Sequence, residues 1–222
     1  MKKFVALTLS LSLLFGCSPT DAAQPSNTEI PPLGAEAPPQ STPTPILVGE
    51  NLEDFLPSPS DFQHPYSVTQ FSTSNESIVE NWGGNYQQIL DEVERLDGIG
   101  CLYDLESTDA IAPTRILVVI ERFASIEGST EFFTYEFPDD FRKGIYKGDS
   151  IDLDPAEGAI LSSINNPNGD DPNALFITIT FRYHNINAIV EGQGSVDNVT
   201  YEYLKPIALS ILGKLENAAL SE

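Results

Sequence analysis

Hydrophobic and polar residues follow three different patterns along this chain. From Phe4 to Phe15 the residues are apolar apart from Thr8, Ser10 and Ser12, with Lys2 and Lys3 ahead of the run and Gly16-Cys17 behind it. From Ser18 to about Ser60 neither a helix nor a strand period is visible. From Asp61 onward short apolar stripes recur at spacings that predict regular elements.

Thr73-Ser74-Asn75-Glu76 has the form of a capping box and opens a helix that places Ile78, Val79 and Trp82 on one face; Gly83-Gly84 ends it. Asn85 to Leu96 fits two templates. Ile89, Leu90, Val93 and Leu96 match a helical stripe, whereas the following Asp97-Gly98 suits a strand entering a hairpin. The strand is favoured, because two consecutive helices would leave the later strands short of partners. Ile116 to Phe123 is β-branched and largely apolar, as a central strand would be.

Ser125 then caps a helix running to about Phe137, with Ile126, Phe132, Phe133 and Phe137 buried, and a looser acidic and glycine-rich stretch follows from Pro138 to Pro155. Gly158 to Ile164 is a short strand, and the segment Asn165 to Asn173 is a concentrated turn signal. Strict alternation predicts the next strand, with Leu175, Ile177, Ile179 and Phe181 on one face and Phe176, Thr178, Thr180 and Arg182 on the other. His184-Asn185 turns the chain into Ile186 to Glu191. Ser195 or Asp197 caps a long C-terminal helix carrying Leu204, Ile207, Ala208, Ile211, Leu212 and Leu215 as one stripe, with Pro206 expected to kink it or mark a second start. This order of elements predicts an α+β domain, a mainly antiparallel sheet covered on one face by helices.

Composition changes the picture most between Ser18 and Ser60. Ten of the 17 prolines lie there, with six acidic residues and no basic one. Prolines this dense exclude helix and sheet ladders, so the segment reads as a solvated spacer of polyproline II character. At about 3.1 Å per residue its extended limit is on the order of 130 Å, against roughly 35 Å for a flexible coil. Leu47 to Leu56 is more apolar and is expected to pack on the edge of the domain. The expected organisation is therefore a removable segment 1–16, a tether 17–60 and one domain 61–222, large enough for a core of its own.

The whole chain carries 11 basic and 33 acidic side chains, a formal charge of −22. Loss of residues 1–16 removes Lys2 and Lys3, and nine basic against 33 acidic groups leaves about −24. Such a polyanion is repelled by nucleic acid and by anionic headgroups, so neither is an expected partner.

The basic start, the short apolar run and Leu14-Phe15-Gly16-Cys17 resemble the lipobox signal of bacterial lipoproteins. That resemblance implies cleavage after Gly16, a thioether-linked diacylglycerol on Cys17, an acyl chain such as palmitate on its amine, and an extracytoplasmic location in the cell envelope. Two or more acyl chains anchor stably where one does not. An acidic domain behind such a tether, with Arg182-Tyr-His-Asn-Ile-Asn187 leading into a final amphipathic helix, is similar to several uncharacterised bacterial surface-lipoprotein domains. In element order over about 150 residues it also resembles the PsbP/Mog1-like sandwich, whose members mostly bind partners. Neither likeness assigns site residues.

Chemistry is sparsely signalled. The chain contains no Gly-rich phosphate loop, nucleophile elbow or paired-histidine zinc motif, and no cofactor is expected. With Cys17 lipidated, Cys101 is the one remaining thiol; its apolar setting in Ile99-Gly-Cys-Leu-Tyr103 suits a buried small hydrophobe better than a nucleophile. His64 and His184 read as connector and turn residues. Acidic loops are the positive signal: Asp149, Asp152, Asp154 and Glu157, and Asp170 and Asp171 among asparagines, offer the oxygens a calcium ion wants, without EF-hand spacing. Solvated loops are the commoner outcome in so acidic a chain. The leading expectation is a non-catalytic binding domain for a protein or small ligand, held to a membrane through Cys17; the alternatives are a calcium-dependent surface protein and an unrecognised envelope hydrolase with facing carboxylates.

Overall fold

The computed structural model describes residues 51–107, 110–135, 148–165 and 174–220. Two 3-10 turns, Leu52–Phe55 and Pro59–Asp61, lead into β1 (Tyr66–Ser72), α1 (Asn75–Trp82) and α2 (Asn85–Glu92). There follow β2 (Arg95–Leu105), β3 (Arg115–Phe123), α3 (Ile126–Thr134), β4 (Asp149–Ser150), β5 (Gly158–Asn165), β6 (Ala174–Tyr183), β7 (Ile186–Ser195) and α4 (Tyr201–Ala219). The strands make one antiparallel sheet in the order β1-β2-β3-β7-β6-β5-β4. All described residues fall in the unit Pro43–Glu222. The α+β class, the antiparallel sheet and the long C-terminal helix are as the sequence leads one to expect.

Strand parity explains the two sides of the sheet. On β3, Ile116, Val118 and Ile120 point to one face and Leu117 and Val119 to the other, because successive side chains alternate. On the first face the expected stripe of α4, from Leu204 to Leu215, is buried against those residues, against Ile179 and Phe181 of β6 and against Ala188 and Val190 of β7. On the second face a smaller cluster joins Ile78, Leu90 and Val93 to Val119, Phe123, Phe132, Phe133 and Ile189. Helices therefore lie on both faces, the long one on the first and α1, α2 and α3 on the second. Strand β7, fourth of seven, is buried on both sides from Ile186 to Val190, which is why it reads as a continuous run rather than an alternation.

Several local expectations are corrected. The segment Asn85 to Leu96 is α2 followed by the start of β2, since Leu90 and Val93, with Ile89 partly covered, pack at helical spacing into the second cluster. The sheet is not short of partners, because β1 and β2 supply two strands. Asp97-Gly98 is no hairpin turn; it lies within β2, just past an irregularity in register between Arg95 and Asp97. The cap of α1 is Ser74, whose side chain accepts from Ser77 N, and the cap of α4 is Thr200, accepting from Tyr203 N, rather than Ser195 or Asp197. Pro206 lies inside a helix that continues through it; both Pro206 and Glu202, whose carbonyl the missing N–H would have met, are on the exposed side, where water can serve that oxygen.

The packed chain reaches N-terminal of Asp61. Leu52, Phe55 and Leu56 are buried with the α4 cluster rather than resting on its edge. Tyr103 Oη donates to Pro57 O at 3.0 Å, and Lys214 Nζ donates to Leu56 O, so β2 and α4 both hold this segment. Phe137, Asp170 and Asp171 lie outside the described residues, as does all of the chain before Asn51.

Candidate interaction surface

β1 is the first strand of the sheet and pairs only with β2, over an unbroken register from Tyr66 opposite Leu105 to Ser72 opposite Ile99. Just beyond its ends Thr73 N donates to Gly98 O at 3.2 Å and Glu106 N donates to Pro65 O at 3.1 Å. Hydrogen-bonded pairs recur every second residue in an antiparallel ladder. Ser67, Thr69 and Phe71 therefore bond inward to β2, and the backbone groups of Val68, Gln70 and Ser72 point to the outer edge. Among the described residues no backbone group meets that edge.

A groove of about 340 Å³ lies at the Ser72 end of β1, lined by Glu53, Gln70, Phe71 and Ser72 and by Gly98 and Ile99 of β2. Each wall is fixed by packing. Glu53 stands in the first 3-10 turn, between the buried Leu52 and Phe55, and its Oε1 accepts from Gln70 Nε2 at 2.8 Å. Phe71 lies across Gly100, where a Cβ would come within 2.3 Å of the ring. Gly98 leaves room for Arg95, whose Nη2 a Cβ there would meet at 2.3 Å.

Beneath the groove, Arg95 is fully enclosed. Its Nε donates to Glu121 Oε1 at 3.2 Å, its Nη1 to Asn75 Oδ1 at 2.6 Å and its Nη2 to Thr73 O at 2.8 Å, and both side chains of the ion pair have no exposed area. Asn75 Nδ2 donates back to Arg95 O at 2.8 Å. The network ties the start of α1 to β2 and β3. It also neutralises Arg95, so that Glu53 remains as the charge on the groove wall among the described residues.

A second polar group sits at the β6–β7 turn, where His184 has a φ of 53°. Its Nδ1 lies 2.7 Å from Glu157 Oε1, while Arg182 Nη1 donates to Glu157 Oε2. Ser129 Oγ donates to His184 O at 2.7 Å, which fixes the turn to α3. His184 is thus the turn residue expected. Both oxygens of Glu157 are engaged by side chains, whereas Asp149, Asp152 and Asp154 project into solvent. Among the described residues no three His, Cys, Asp or Glu side chains group in a way that could hold a metal ion.

The remaining titratable groups are structural. Cys101 is buried, and burial pushes its thiol up. His64 stacks on Tyr203 at 6.4 Å, and Tyr203 Oη lies 3.2 Å from Tyr66 Oη, which donates to Pro113 O. Glu191, on the second face of β7, is largely enclosed; burial raises its carboxyl above the usual range, and a hydrogen bond from Thr178 Oγ1 at 3.3 Å offsets part of this.

Sequence reasoning did not find this surface. Glu53 falls in what composition marks as tether, and β1, Tyr-Ser-Val-Thr-Gln-Phe-Ser, lacks an apolar alternation because all but Tyr66 is exposed. Its signal is the β-branched and aromatic content, without charge, proline or glycine.

Among the described residues no helix is long and apolar enough to cross a membrane. No protein-family model matches the chain, and no curated protein matches it in sequence. Among solved structures it is similar to the extracellular domain of PknH from Mycobacterium tuberculosis, with a TM-score of 0.45 and 8% identity over 78% of this chain and 99% of that one.

Proposed function

We propose that this chain is a bacterial lipoprotein, anchored on the extracytoplasmic side of a membrane through lipidated Cys17, whose domain binds a partner and carries out no catalysis. The anchoring half of the reading is supported by Lys2-Lys3, the apolar run and Leu14-Phe-Gly-Cys17. With a net charge near −24 after cleavage, covalent lipid rather than attraction to headgroups has to supply the attachment.

The binding half is carried by one observation: a seven-residue edge strand whose outer backbone groups meet no partner among the described residues, with a groove walled by fixed side chains at its end. Among the described residues one carboxylate, Glu53, lines the groove, whereas hydrolysis by a carboxylate pair would need two facing each other.

Two measurements test this. In a bacterial host the wild-type chain is expected in the membrane fraction with the mass of a diacylglyceryl and acyl chain, and Cys17→Ser is expected to leave that fraction. In-cell crosslinking of the lipidated protein should give a reproducible partner. Release of products from envelope polymers by the purified lipoprotein would overturn the non-catalytic reading, and unchanged fractionation of Cys17→Ser would overturn the anchor.

A further inference from the structure

Resting on that binding reading, we propose that the outer edge of β1 accepts an extended segment of a basic polypeptide as an eighth strand, with one of its lysine or arginine side chains seated against Glu53.

Edge strands are ordinarily protected by lysine, proline, bulges or short length, since an unpaired row of N–H and C=O groups templates further pairing. β1 has none of these. It is seven residues long, its register with β2 has no bulge, and its sequence holds no charge and no proline. Val68 is 48% exposed and Phe71 36%, so the open edge also offers apolar area on both of its faces.

Charge selects the partner. Side chains of Val68, Gln70 and Ser72 share the face on which Glu53 stands, and Glu53 bonds directly to Gln70. A strand added beside β1 would place alternate side chains on that face, and the one opposite Gln70 would enter the groove. Glu53 is a carboxylate on the groove wall of a chain with 33 acidic and 11 basic side chains, and a long cation from a partner complements it. The same negative charge opposes a second copy of this chain at the edge. Strand addition of this kind takes affinity from backbone bonds and specificity from alternate side-chain pockets.

The test uses the full lipidated chain in non-ionic detergent, with two eight-residue peptides, one alternating Lys with Val and Thr and the other carrying Glu in place of Lys. Amide hydrogen exchange is followed over Tyr66 to Ser72. The Lys peptide is expected to slow exchange at Val68 and Gln70, and the Glu peptide to leave it unchanged. Val68→Pro, whose lost N–H points away from β2, is expected to weaken the Lys peptide by up to about tenfold, as loss of one hydrogen bond implies. Val68→Lys and Glu53→Gln, which leave the backbone intact, should each weaken it several-fold at low salt.

Equal binding of the two peptides, or binding unaffected by both Val68 variants, overturns the proposal. So does slow exchange at Val68 and Gln70 without peptide that becomes fast when residues 43–50 are deleted, since the chain itself would then fill the edge, or self-association abolished by Val68→Lys. Protection of a different element by a crosslinked partner sinks this site while leaving the binding reading intact.

Discussion

At the scale of single residues, Gly98 is held without room for a side chain. A methyl group there would collide with Arg95 Nη2 and Thr73 Oγ1, both at 2.3 Å, and Arg95 cannot move without disturbing its buried ion pair with Glu121 and its bonds to Asn75 and Thr73. Gly98→Ala should therefore destabilise the domain by roughly 2–4 kcal/mol, combining overpacking with a disturbed buried pair. Urea unfolding would measure it, and a cost below about 0.5 kcal/mol would show that the network yields. Glu191 behaves oppositely. Burial raises its folded pKa above the ordinary 4.5, so its protonated form is favoured by folding, and its contribution is best at low pH and is lost as pH rises through the folded value. Glu191→Gln is expected to unfold at higher denaturant than the wild type at pH 7, with the difference disappearing below about pH 4.5. A difference independent of pH would mean that the carboxyl is not the cause.

At the scale of elements, α4 supplies most of the cover for the first face of the sheet. Ile211 and Leu212 are fully buried at its centre, and Ile211→Ala should cost about 2–5 kcal/mol through lost transfer energy and a residual cavity. Thermal or denaturant unfolding checks this, and a loss under 1 kcal/mol would mean that the helix is not a structural cover. Such elements were legible in the sequence. The α4 stripe, the alternation of β6 and the apolar run of β3 each record one-sided or full burial directly in residue order. What was illegible depends on neighbours distant in the chain. Asn85 to Leu96 fits a helix and a strand alike until Leu90 and Val93 are seen in one cluster with Val119 and Phe132, and Asp97-Gly98 resembles a turn until Arg95 is seen to occupy the space a side chain would need. β1 leaves almost no hydrophobic record because six of its seven residues are exposed. The candidate surface shares that cause: an open edge displays backbone, and backbone has no sequence signature.

At the scale of the molecule, the first 3-10 turn shows that the packed domain includes Leu52 and Phe55. Composition draws the border near Ser60, by proline content, whereas burial draws it by Leu52. The difference is mechanical. Any pull arriving through the chain ahead of Asn51 is delivered first to Leu52 and Phe55, whose burial is worth about 1.5–3 kcal/mol each, and then to the bonds that Tyr103 and Lys214 make to the segment behind them. Those two side chains belong to an interior part of the sheet and to the last helix. The segment from Leu52 to Pro57 is thereby tied both to the middle of the chain and to its last helix.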